Sequence, residues 1–318
     1  MKKIALLLGS MVILAGTAQA AEKEVTPVTV IEDNTLIVAP VVNEMPKFRV
    51  TSITTGIWNE NRSGKANGNI GSNNLRFYAN FAYGDNWTGY LQTRRYFDSN
   101  TKSSYNDGKK GIFIKKNTKN YVSVTRNNIY GNNSIGFTYE AGTAYDEYDL
   151  QYSFAPTDYI SGYVIYGYGA RSDQDPDYNY IEVQPRLSYK GWAMSYYFEG
   201  SYNVNSNKQG NYNFQQLRFF TPTYTYEKFS ANVEWRTWLT ASGKKEEKNV
   251  VTKNYEMGKN IKNPFDANRV YLKMNYALDN STTVFTNLGY EIGKWESSSN
   301  SSKKSYKEFI EVGLNFKF

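Results

Sequence analysis

The last fourteen residues, Ser305 to Phe318, constrain this chain more tightly than any other stretch. Tyr306, Ile310, Val312, Leu314, Phe316 and Phe318 fall on one face of an extended strand, and Lys307, Glu311, Asn315 and Lys317 on the other. Side chains of a strand alternate with a period of two. A sheet built of such strands needs water against one face and an apolar medium against the other, as a strand between lipid and an aqueous lumen has.

The opposite end agrees. Lys2 and Lys3 precede an apolar run from Ile4 to Ala15, and Ala18-Gln19-Ala20 follows. That pattern predicts a secretory signal peptide over residues 1–20, cut before Ala21. The run is too short for a spanning helix, and no Cys follows it to carry a lipid. Residues 21–47, with Pro27, Pro40 and Pro46 and no sustained alternation, read as a periplasmic arm or linker, or a small plug. Residues 48–318 carry the alternation.

Composition narrows the architecture. The processed chain has about 298 residues (318 minus 20), normal for one barrel. No later apolar run approaches the roughly 20 residues of a membrane helix. In lipid every backbone group must be satisfied internally, so the closed barrel is what remains. Tyr dominates the aromatics, with 29 copies beside 17 Phe and 6 Trp, which suits girdles at two membrane interfaces. Cys is absent, so closure rests on hydrogen bonds.

His is absent too, which removes Ser-His-Asp and Cys-His arrangements, His-based zinc sites and the commonest general base near neutral pH. No enzyme is expected. Without Lys2 and Lys3 the balance is 35 basic to 30 acidic residues, a net of +5, with no basic block to suggest nucleic acid. Asp173, Asp175 and Asp177 have the spacing that opens a calcium loop, but Tyr178 and Gln184 stand where its Gly and Glu belong. No metal or cofactor is expected.

Alternation and turn signals predict an all-β, antiparallel up-and-down transmembrane barrel of about fourteen strands, at 48–59, 73–84, 86–98, 117–127, 133–141, 145–155, 158–170, 178–190, 191–204, 211–225, 228–241, 268–278, 281–295 and 305–318. Short turns at 84–86, 155–158, 190–191, 226–228 and 278–280 alternate with longer polar loops at 60–72, 98–117, 171–178, 204–211, 241–268 and 295–305. Such a rhythm fits periplasmic turns and outer loops. Twelve strands remain open, because the hairpin within 128–147 is short. A secreted sandwich or propeller would use strands of five or six residues, shorter than these.

The same period assigns faces. Arg49, Arg76, Arg94, Glu182, Arg186, Glu199, Arg218, Glu234, Arg236, Lys273, Glu291 and Glu311 are expected to line the interior. An interior this polar in a fourteen-stranded barrel is a water-filled pore rather than a packed core. Basic residues outnumber acidic ones there, which points to a mild anion preference; cross-strand pairing of the charges would leave the pore unselective. Inward Tyr78, Tyr90, Tyr96, Tyr197 and Trp238 either stack sugars or pack against Arg stems. The loop at 241–268, with Lys244, Lys245, Glu246, Glu247 and Lys248, is a candidate lid.

Signal peptide, hairpin rhythm and carboxyl-terminal Phe together resemble Gram-negative porins. The opening Met-Lys-Lys-Ile-Ala-Leu-Leu-Leu-Gly-Ser, the Pro-containing arm and the Tyr/Asn-rich strands look most like the fusobacterial major outer-membrane porins. The resemblance implies passive diffusion of small hydrophilic solutes across the outer membrane, set in lipid and lipopolysaccharide. It also implies that the strand ending at Phe318 is an assembly signal for the barrel-assembly machinery. Porins of this kind sometimes act as adhesins, here through loop tips at 60–72 and 295–305. Oligogalacturonate-type porins, with basic pores and smaller barrels, are the second resemblance. Outer-membrane barrel hydrolases of the phospholipase and omptin kinds depend on His, which this chain lacks.

Overall fold

The computed structural model describes residues 30–32, 35–37, 48–63, 72–97, 118–142, 145–171, 177–204, 211–243, 261, 263–296 and 302–318. Residues 1–20, expected to be a signal peptide, the acidic positions Asp173 and Asp175, and the Lys244–Lys248 run lie outside them. Within the 21–47 segment, β1 (Val30–Glu32) and β2 (Thr35–Ile37) form a two-stranded hairpin, a sheet of its own.

From Phe48 onward the alternating segments are strands: β3 (Phe48–Ser63), β4 (Ser72–Tyr83), β5 (Trp87–Phe97), β6 (Thr118–Tyr130), β7 (Asn133–Ala141), β8 (Tyr145–Phe154) and β9 (Ile160–Arg171). They continue as β10 (Tyr178–Tyr189), β11 (Trp192–Asn203), β12 (Tyr212–Phe220), β13 (Tyr224–Tyr226), β14 (Phe229–Gly243), β15 (Ala267–Ala277), β16 (Thr282–Glu296) and β17 (Ser302–Lys317). Among the described residues there is no helix.

From β3 to β12 and from β13 to β17 each strand pairs antiparallel with the next, β12 pairs with β14, and β17 pairs back onto β3. With β13 only a short addition on β14, the result is a closed barrel of fourteen strands with no free edge. Closure gives every strand partners on both sides, which an apolar medium demands. The open choice between twelve and fourteen is settled at 128–147. There β6 and β7 are joined at Gly131, whose φ of 56° opens a tight turn, and both pair fully with their outer neighbours.

The single strand expected over 211–225 is two. β12 stops at Phe220 and β13 restarts at Tyr224, with Pro222 between them. A proline has no N–H to give a ladder, so it sits where the pairing is already broken. The turn between β10 and β11 shows the opposite economy: Lys190 and Gly191 both have positive φ, 48° and 85°. Those are the two central residues of the hairpin turn whose twist matches that of the strands.

The barrel is inside-out relative to a soluble core. Ile57, Leu150, Tyr166 and Leu187 are each more than half exposed on the outer face, whereas Glu234, Glu291 and Lys307 on the inner face are 2%, 0% and 3% exposed. Outer-face aromatics gather toward the strand ends. Phe48, Tyr83, Trp87, Tyr189, Trp192 and Tyr276 lie toward the short-turn end, and Tyr139, Tyr148, Tyr168, Tyr202, Tyr290 and Tyr306 toward the other. Aliphatic Leu, Ile and Val fill the band between. Such an outer surface is energetically sensible only against hydrocarbon flanked by two interfaces.

Candidate functional site: the inner face of the barrel

The inner face is fixed by register. Cross-strand pairing aligns Glu311 with Trp58, Arg76 with Arg94, Arg94 with Lys119, and Glu182 with Glu199. It aligns Arg218 with Arg236, and Arg269 with Glu291. Arg49, Arg186, Glu234 and Lys273 share that face by the same parity; Arg49 pairs with Ala82 close to the short-turn end. Lys119, Glu140, Glu147, Asp149, Arg269 and Lys307 also lie there.

These charges divide into two walls. On the wall from β14 to β17 they are paired. Glu291 accepts from Arg269 Nε at 2.7 Å and stands 3.3 Å from Lys307 Nζ. Glu234 takes Lys273 Nζ at 2.6 Å on one oxygen and Arg236 on the other. Glu311 accepts from Arg76 Nη1 at 3.0 Å and from Asn287 at 2.9 Å. Removing such charges from water is costly, and short, multiply hydrogen-bonded pairs offset that cost.

On the wall from β7 to β11 the carboxylates are met by tyrosine. Tyr178 donates to Glu147 at 2.5 Å, and Tyr180 to one oxygen of Glu182 at 2.5 Å while Tyr163 takes the other. Tyr197 and Tyr212 donate to the two oxygens of Glu199 at 2.5 and 2.9 Å. Tyr145 donates to Glu140, which also pairs with Lys119 at 2.7 Å. Tyr is thus the inner-face hydrogen-bond donor of this wall as well as the girdle residue outside.

Arginines without a carboxylate partner among the described residues mark the remainder. Arg94 stacks over Tyr121 with 5.1 Å to the ring centre. Arg186 lies over Phe220 at 4.6 Å and donates to Ser188. Arg218 lies 3.4 Å over Tyr197 and donates to Gln216 and Gln184, each at 3.0 Å. A guanidinium has five donors, so donors remain for a solute. Aromatic support holds the groups flat along the wall without neutralising them.

Glycines keep other rings out of the lumen. Phe285 pairs with Gly313, which pairs with Gly56, and a side chain on either glycine would meet the Phe285 ring. Next to that ring a cavity of about 430 Å³ opens, lined by Thr54, Ser230, Asn275, Asn315 and Lys317 among others. A second, of about 330 Å³, lies between Asn132, Ser153, Ser161, Tyr163, Gln184 and Arg186. One apolar patch interrupts the inner face, where Ile261 bridges to Ala241 beside Trp238, Phe214, Tyr212 and Tyr197. The Phe265 N–H donates to the Trp238 carbonyl, so the end of the 241–268 connection is tied to the wall.

The twelve residues expected to line the interior fall on this inner face. The sequence pattern passed over Asp149, and over Glu140 and Glu147 with the tyrosines that serve them. Tyr145-Asp146-Glu147-Tyr148-Asp149 does alternate, but with charge on both faces: Asp146 points outward, where Tyr139 donates to it at 2.8 Å. The readable signal was Leu150 and Tyr152, which fix the outer parity of β8.

A closed antiparallel sheet with an even strand count, an apolar outer face between aromatic girdles and a charged inner face defines a transmembrane β-barrel. Solved outer-membrane barrels share the architecture. A bacterial polysaccharide outer membrane secretin aligns at 8% identity over 84% of this chain and 98% of its own, with a TM-score of 0.51. Outer membrane protein Omp33 of Acinetobacter baumannii aligns at 10% identity over 85% of this chain and 99% of its own, TM-score 0.41. A KdgM porin aligns at 10% over 83% and 99%, TM-score 0.36. At 8% identity the likeness to the secretin is one of fold alone. No family model and no curated protein matches the chain.

Proposed function

We propose that this chain is an outer-membrane porin that lets small hydrophilic solutes diffuse passively, with a mild preference for anions. The observation that carries the reading is the inner face itself, where charged and polar side chains line a closed barrel of a size that leaves water inside. The preference rests on Arg94, Arg186 and Arg218, which make no ion pair among the described residues, while most inner-face acids are occupied by cations or phenols. Selectivity follows the charge that stays available in the lumen.

On this reading residues 1–20 are removed on export, the arm bearing β1 and β2 stays periplasmic, and the strand ending at Phe318 is recognised by the assembly machinery. The outer face then meets lipid and, at its outer rim, lipopolysaccharide. The test is single-channel recording of the refolded chain, freed of residues 1–20, in planar bilayers under a salt gradient. Discrete open steps with a reversal potential shifted toward the anion are expected. A verified, folded barrel that never conducts would overturn the porin reading, and steps without a shift would overturn the preference.

A further inference from the structure

The register places five basic residues of the inner face in one row, with Ser195 and Glu291 between them. Arg186 of β10 is opposite Ser195 of β11, and Ser195 is opposite Arg218 of β12. Arg218 faces Arg236 of β14, and Arg236 faces Arg269 of β15. Arg269 is opposite Glu291 of β16, and Glu291 is opposite Lys307 of β17. Hydrogen-bonded neighbours are spaced by about 4.8 Å, so these six steps cover about 29 Å of wall.

The row also climbs. Arg186 lies near the short-turn end of β10, three residues before Tyr189, whereas Lys307 lies near the long-loop end of β17. Strands in a closed barrel are tilted, so a hydrogen-bonding row rises along the wall as it passes around. Aromatic rings support each guanidinium: Phe220 for Arg186, Tyr197 for Arg218, Tyr271 for Arg236 at 5.0 Å, and Phe309 and Trp238 for Arg269 at 4.7 and 5.1 Å. Glu234 offsets part of the charge from the side and Glu291 from within the row, and Lys273 adds to it. Of the tyrosine-bound carboxylates, Glu147 sits away from the row on β8, whereas Glu182 lies on β10 itself, four residues before Arg186 and toward the long-loop end.

Building on the porin reading above, we infer that this row is a binding track for linear oligoanions, chains carrying a negative group at intervals near the strand spacing. A compact anion meets one or two guanidiniums wherever it lies. A linear one engages Arg186, Arg218 and Arg236 together, and its second and third contacts are intramolecular, so affinity grows with length. Acidic oligosaccharides and inorganic polyphosphate share the required chemistry.

The experiment is current block of the refolded barrel in planar bilayers by uronic-acid monomer, dimer and tetramer, by linear polyphosphates of matched charge, and by an uncharged sugar oligomer. The row predicts residence times that lengthen at least tenfold from monomer to tetramer, no block by the neutral oligomer, and loss of most of the length dependence in Arg186→Gln/Arg218→Gln. Both variants spare the buried Glu291 and Glu234 pairs, and heat-modifiable electrophoretic mobility verifies that they fold. Block by uronates above polyphosphates assigns the track to acidic sugars, and the reverse order assigns it to phosphate chains. An anion-shifted channel whose block is independent of length would overturn the track and leave the porin standing. A folded barrel with neither conductance nor block would overturn both.

Discussion

The two walls of this lumen satisfy carboxylates in different ways. Glu291 is fully buried between Arg269 and Lys307, and Glu234 lies between Arg236 and Lys273. Across the lumen, Glu182 is served by the hydroxyls of Tyr163 and Tyr180, and Glu147 by Tyr178. A salt-bridged acid is coupled to charges that depend on it, whereas a phenol-bound acid is served by neutral groups. The first arrangement ties stability to charge balance. The second leaves Glu147 and Glu182 without an ion pair among the described residues, which makes that wall the tunable one.

The largest effect should therefore come from Glu291→Gln. It leaves Arg269 and Lys307 side by side without their shared carboxylate, and breaking one partner of a buried pair costs about 3–5 kcal/mol. Glu182→Gln keeps an acceptor for Tyr163 or Tyr180, and a lost hydrogen bond of this kind costs about 1 kcal/mol. Urea unfolding of the detergent-refolded barrel, followed by heat-modifiable mobility, measures both. Equal losses on the two walls would break the distinction between them.

Selectivity should divide with the opposite emphasis. Arg218→Gln removes a cation that has no ion pair among the described residues, and should reduce the anion-directed reversal potential with little loss of stability. Glu147→Gln and Glu182→Gln should increase it, since they remove charge held only by phenols. Opposite signs from the two walls in the same salt gradient would sharpen the comparison. The same sign from both would mean that the lumen averages its charge.

A smaller change is expected in pore size. Gly56→Val places a side chain where the Phe285 ring lies against the wall. The ring must swing into the lumen beside the 430 Å³ cavity, so single-channel conductance should fall by a modest fraction, with selectivity unchanged. Unaltered conductance in a folded variant would show that Phe285 does not bound the open path.

The fold was legible because it depends on a two-residue period that each strand carries by itself. Leu75, Phe77 and Phe81 announce the outer face of β4 without reference to any neighbour. Where the period breaks, so did the reading. Pro222 divides an apparent single strand, and the irregular register at Gln215 and Gln216 shifts the partners on β14, where Thr240 follows Trp238 by two. The site was half legible for a related reason. A strand's own alternation says that Arg186, Arg218 and Arg236 point inward, but only the stagger between strands says that they stand in one row. That stagger is set by turns such as Lys190–Gly191 and accumulates around the barrel, beyond the reach of any local pattern. Tyrosine hid the acidic wall, since the same residue serves the outer girdles and the inner carboxylates.

The smallest effect belongs to a carboxylate on neither wall. Asp279, in the turn between β15 and β16, accepts from the Ser281 hydroxyl at 2.8 Å and from the N–H groups of Ser281 and Thr282 at 2.7 Å each. Those bonds, the Ser281 hydroxyl first, hold its carboxyl below the ordinary Asp range. A depressed pKa means that the folded turn binds the proton less readily than the unfolded chain. Its contribution is therefore present above the ordinary Asp value of about 3.9 and is lost as pH falls through the lowered one. Asp279→Asn should flatten that acid limb slightly and leave the neutral-pH conductance unchanged, because the group is exposed and outside the lumen. Urea midpoints between pH 2 and pH 6 (roughly two units either side of an ordinary Asp) measure it. If the variant and the parent fall together through that range, the acid sensitivity of the barrel resides in its lumen walls instead.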